Sequence, residues 1–169
     1  MKEISKRTAF AGMLTALAMI FSYIEVLLPF SVGIWGIKLG LANLVVLSGL
    51  YFLPHREVFA VSMTRIFLSA LLFGNIMALA YSLAGGLLSF AVMSVLQKKN
   101  ILSITGVSIA GGICHNIGQI IVAYLVLQSS GVFMYLPVLM ISGIAAGLVI
   151  GLVSGRILPV LRKKAGIAL

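Results

Sequence analysis

The stretch from Ile101 to Gly155, ILSITGVSIAGGICHNIGQIIVAYLVLQSSGVFMYLPVLMISGIAAGLVIGLVSG, contains no aspartate, glutamate, lysine or arginine. One helix needs roughly 20 apolar residues to cross a hydrocarbon core about 30 Å thick, so this stretch holds two crossings. The polar break Gln128-Ser129-Ser130-Gly131 divides them. Upstream, between Arg56 and Lys98, the only charges are Glu57 and Arg65, and this region reads as a helical hairpin broken at Gly74-Asn75. A further apolar run from Leu39 to Leu53 stops at Pro54, with Lys38 placed to snorkel at its start. The first run, Thr8 to Leu28, ends at Pro29 and a loop containing Gly33, Trp35 and Gly36.

The sequence therefore predicts an all-α integral membrane protein, one domain over residues 1–169 built as a bundle of six transmembrane helices. Composition demands the same solvent. At 62% hydrophobic residues and a mean hydropathy of +1.22, a 169-residue globule has too little interior to hide its apolar surface. The runs are too long for barrel strands, and their small residues recur every four positions rather than every two. The basic, then apolar, N-terminus has the outline of a signal peptide, but the run is as long as a full span and no small-x-small site ends it. It is read as helix one.

Six crossings put both termini on one side together with the loops near 54–57 and 97–100. That side collects Lys2, Lys6, Arg7, Arg56, Lys98, Lys99, Arg156, Arg162, Lys163 and Lys164, ten of the twelve basic residues. The positive-inside rule makes it the cytoplasmic face of the cell membrane. The net charge of +9 thus reflects topology and lipid headgroups, not nucleic acid. Cys114 is the lone cysteine and forms no disulfide within the chain. Glu3, Glu25 and Glu57 are the only acidic residues, which excludes chemistry that needs clustered carboxylates. No metal site and no cofactor are expected.

Polar groups inside lipid are costly, so each needs a partner or a purpose. Arg65 lies nine residues beyond Arg56, about 13 Å deep at about 1.5 Å per residue. His115, Asn116 and Gln119 fall beyond the midplane of helix five, with His115 and Gln119 on one face. Glu25, Lys38, Asn43, Asn75 and Tyr81 fall in the outer third of their helices. These residues outline a pocket open to the outside, with Arg65 and His115 at its floor. Arg65 and Lys38 would supply positive charge, His115, Asn116, Gln119 and Asn43 hydrogen bonds, and Tyr81 and Trp35 flat apolar faces. The structural alternative pairs Glu25 with Lys38, binds Arg65 to backbone carbonyls and uses the amides to join helices. Two stripes of small residues mark close packing or partner contact: Gly143, Gly147, Gly151 and Gly155 in helix six, and Thr8, Gly12 and Ala16 in helix one.

The blocks Phe21-Ser-Tyr-Ile-Glu25, Lys38-Leu-Gly-Leu-Ala-Asn43, Leu72-Phe-Gly74, Tyr81-Ser-Leu-Ala-Gly-Gly86 and Gly112-Ile-Cys-His-Asn-Ile-Gly-Gln119 together resemble the Gx transporter family, also called heptaprenyl diphosphate synthase component I. That family in turn looks like the substrate-binding S components of energy-coupling factor transporters. The resemblance implies a membrane-embedded binding subunit for a small anionic molecule, isoprenoid-like or flavin-like, which works with a separate transmembrane coupling subunit and ATPases. It also implies that the helix-one stripe meets the coupling subunit. The chain has no Walker A loop and hydrolyses no ATP itself. The alternative reading is a non-catalytic membrane component I of heptaprenyl diphosphate synthase, because allylic transfer resembles a reaction run by aspartate-rich magnesium sites and this chain has no aspartate. A purely structural membrane scaffold would explain the glycine stripe but not Arg65.

Overall fold

Both breaks inside the long apolar stretches have a local cause. Gly74 is extended, and Asn75 starts the next helix by accepting the Ala78 N–H on its side-chain oxygen at 2.8 Å. Gln128 closes its helix with φ of 48°, and Ser129 opens a 3-10 turn over Ser130–Tyr135. The computed structural model describes residues 2–27 and 40–165, with the side chains of 7–27 and 40–161. These residues form α1 (Lys2–Leu27), α2 (Leu41–Leu50), α3 (His55–Phe73), α4 (Ile76–Lys99), α5 (Ile104–Leu127) and α6 (Leu136–Ala165), and no strand.

Among the described residues, four segments are long and apolar enough to cross a membrane: Arg7–Leu27, Ile76–Lys99, Ile104–Leu127 and Ser130–Leu161. The chain is a multi-pass membrane protein, and side chains such as Leu71, Ile76 and Met134 are at least 80% exposed, the surface that lipid covers. The second run differs from its expected extent over 39–53. As α2 it holds ten helical residues, about 15 Å, and then turns as the N–H groups of Tyr51, Phe52 and Leu53 donate back to Ser48 and Gly49. Ala42, Val45, Val46, Leu47, Gly49 and Leu50 are all buried, because α2 packs against α1, α3, α4 and α6. A helix apolar on every side suits a protein interior, and inside the bundle its length need not match the bilayer. The 19-residue α3 is long enough to cross, but Arg56, Glu57 and Arg65 lower its hydropathy.

Successive helices run antiparallel. Glu25 of α1 reaches Leu41 at the start of α2, whereas Leu14 lies by Gly49 near its end. Gly118 of α5 lies on Ala84 of α4 and Gly111 on Met93; Gly112 lies on Gly143 of α6 and Gly151 on Thr105. The start of α1 and the end of α6 thus share one end of the bundle. At that end Arg7, Arg56, Lys98, Lys99 and Arg156 are exposed around an apolar core that includes Leu47, Leu50, Phe52, Val58, Val107 and Leu158.

Packing is unequal from side to side. α5 lies flush on both α4 and α6, and the glycines are the reason. A Cβ on Gly118 would come within 2.6 Å of the Ala84 carbonyl oxygen, on Gly147 within 2.7 Å of Ile109 Cα, and on Gly151 within 2.6 Å of Thr105 Cα. Gly112 and Gly143 face each other backbone to backbone. A Cβ on Gly155, the last of the helix-six stripe, would meet nothing within 4 Å among the described residues, because one turn beyond Gly151 the opposing helix α5 has already ended. A Cβ on Gly12 would likewise meet nothing within 4 Å among the described residues, and Thr8 and Ala16 beside it are exposed.

Candidate functional site

Where the loosely packed helices α1 to α3 meet the close-packed α4 to α6, a cavity of about 340 Å³ remains, and all six helices line it. Its walls come from the last third of α1 (Ser22, Glu25, Val26), the start of α2 (Gly40, Ala42, Asn43, Leu47) and the second half of α3 (Arg65, Ser69, Ala70, Phe73). The other side is formed by Gly74, Ala78, Ser82 and Met93, by Ser108, Gly111, Gly112, His115 and Asn116, and by Gly143, Ala146, Gly147 and Ile150. It lies toward the end where α1 stops and α2 begins, away from the exposed Arg7, Arg56, Lys98, Lys99 and Arg156.

Arg65 gives this space its chemistry. It is the one charged residue in the second half of α3, its Nε is buried with no hydrogen-bond partner among the described residues, and it faces the cavity. Glu25 lies within electrostatic reach of the guanidinium. The Glu25 carboxylate also accepts the Leu41 N–H at 2.7 Å, a bond from α1 that caps α2. α2 cannot cap itself, because its N-cap is Gly40, held at φ of 71° in the left-handed region that glycine enters without strain.

The sequence-predicted residues separate into three groups. Arg65, Glu25, Asn43, His115 and Asn116 come together on the cavity wall. Gln119 and Tyr81 are not on it: Gln119 is buried behind His115 and holds the imidazole, Nε2 to Nε2 at 3.3 Å, while at Tyr81 it is the next residue, Ser82, that reaches the wall. Lys38 and Trp35 lie outside the described residues. Asn116 does two things. It faces the cavity, and its Nδ2 donates to the Leu139 carbonyl at 2.5 Å and to Ser142 Oγ at 3.4 Å, joining α5 to α6. Among the described residues no three His, Cys, Asp or Glu side chains gather as metal ligands would.

Sequence reasoning missed the serines. Ser22 precedes Glu25 by three positions, Ser69 follows Arg65 by four and Ser108 precedes His115 by seven, so each shares a helix face with a residue already singled out. Spacing alone would have found them. Ser22 Oγ is buried with no hydrogen-bond partner among the described residues, while Ser69 Oγ donates to the Ile66 carbonyl at 3.2 Å.

A sequence model of the heptaprenyl diphosphate synthase component I family matches residues 14–157. The chain belongs to that family. The matched span contains every cavity-lining residue, from Ser22 to Ile150. No curated protein and no solved structure matches the chain. A component I is one part of a synthase and implies a second component, in agreement with the reading of this chain as one without catalytic residues of its own.

Proposed function

We propose that this heptaprenyl diphosphate synthase component I is a non-catalytic, membrane-embedded subunit that holds the anionic end of a small isoprenoid-type diphosphate in the cavity between its six helices. All six elements then lie within the bilayer, both termini are cytoplasmic, and the cavity belongs to the outer half of the cell membrane. The observation that carries the ligand reading is Arg65, half-buried with its Nε enclosed, facing a cavity of about 340 Å³ whose wall also carries Asn43, His115 and several serines. That volume is near the lower limit for small-molecule sites, about 300–1,000 Å³, so it suits a short prenyl diphosphate or the head of a longer one whose tail lies in lipid. Arg65 would pair with a diphosphate oxygen, and Asn43, His115 and the wall serines would donate the remaining hydrogen bonds.

The test is binding of a short prenyl diphosphate to the full chain in detergent or nanodiscs. Arg65→Ala should weaken it at least about tenfold, roughly one charge-assisted hydrogen bond, while the protein stays folded. Unaltered affinity removes Arg65 from the site. A second reading, an S-component-like subunit of a transporter, draws support from the exposed Thr8, Gly12 and Ala16 face of α1, which no other part of the described chain covers. Co-purification decides between them: a soluble, aspartate-rich catalytic protein supports the synthase component, whereas a transmembrane coupling subunit with ATPases supports transport.

A further inference from the structure

The α2 N-terminus and the Arg65 guanidinium open on one cavity, and the Glu25 carboxylate is placed against both. A helix N-terminus attracts anions through its unsatisfied N–H groups and its dipole. A buried arginine needs a counter-charge for the same electrostatic reason. Either alone is an ordinary structural feature. Together they describe a place for an anion, and the chain puts one of its own there: α1 reaches across 16 residues of sequence to supply a carboxylate that the N-cap Gly40 lacks. The fit to a free anion comes from Arg65 Nε, which is buried and has no hydrogen bond among the described residues although Glu25 is near.

We infer that Glu25 is an internal stand-in for the ligand's anionic group, and that loading the cavity displaces its carboxylate from the Leu41 N–H and the Arg65 side of the site. This rests on the diphosphate-binding reading above and adds how the site is kept before loading. Two anions cannot share one guanidinium in a space this small without repulsion, so the incoming diphosphate and Glu25 compete. The exchange releases a hydrogen bond that ties α1 to α2, which makes occupancy of the cavity detectable along α1.

The competition gives a test whose sign is opposite to that of ordinary binding-site mutations. Inorganic pyrophosphate and a short prenyl diphosphate are titrated into the full-length protein and into Glu25→Gln, in which the amide oxygen still accepts the Leu41 N–H but the negative charge is gone. Tighter binding by Glu25→Gln, about tenfold, supports the inference. Equal or weaker binding in the variant, with the unaltered protein binding normally, overturns it and leaves the diphosphate reading standing. Binding by neither protein overturns both. A second measurement needs no variant to fold. Because only Glu3, Glu25 and Glu57 carry side-chain carboxylates, infrared difference spectra of the unaltered protein should show one carboxylate band shifting on pyrophosphate addition. Binding without such a shift overturns the displacement.

Discussion

The two sides of this bundle are packed on different terms. In α4, α5 and α6, glycines bring backbones into contact, which is how helices associate when lipid removes the hydrophobic drive between them. In α1, α2 and α3 the contacts are made through side chains, such as the tilted rings of Tyr23 and Phe73 at 5.0 Å, and the polar groups Glu25, Asn43 and Arg65 face inward. Residues from both sides line the cavity. The cavity is what remains between them, so rigid packing supplies one wall and charge supplies the other.

The comparison breaks first where backbone meets backbone. Gly112→Val and Gly143→Val should each cost more than the roughly 1–3 kcal/mol of ordinary overpacking, because the obstacle is main chain and not a movable side chain. Thermal melting in detergent should show loss of the folded state; variants that melt like the unaltered protein would mean that the glycine crossing is not what holds this side. Asn116→Ala should have a smaller effect on the same side. Removing its donation to Leu139 should lower stability by about 0.6 kcal/mol, the average for interhelical hydrogen bonds in membranes, and by no more than about 1.7 kcal/mol, with Ser142 still donating to that carbonyl. The smallest effect sharpens the boundary. Gly155→Ala adds a Cβ into open space beyond the end of α5, and its stability should stay within about 0.5 kcal/mol of the unaltered protein. A large loss there would show that the crossing runs further than the geometry indicates.

Most of the helix limits were legible because their causes are local. Asn75 and Ser129 accept backbone N–H groups two or three residues ahead, so the breaks at Gly74-Asn75 and Gln128-Gly131 can be read from residue type and position. α2 was not legible in the same way. Its residues read as a run that crosses the membrane, but its end at Leu50 and its burial come from four neighbouring helices that no window of sequence contains. The site was half legible. The expense of placing Arg65, His115 and Asn116 in an apolar setting marks them in any reading, whereas Gln119 and Tyr81 carry the same signal and stand off the wall.

Sequence by itself determined the solvent, the helical class and the residues too polar to face lipid, because each follows from transfer free energy and from hydrogen-bond needs within one segment. Only the tertiary structure decided that α1 caps α2 through Glu25, that Gly143, Gly147 and Gly151 meet α5 while Gly155 does not, and which polar groups share one cavity. Those depend on helix register and rotation, which are set by contacts between segments far apart in the chain.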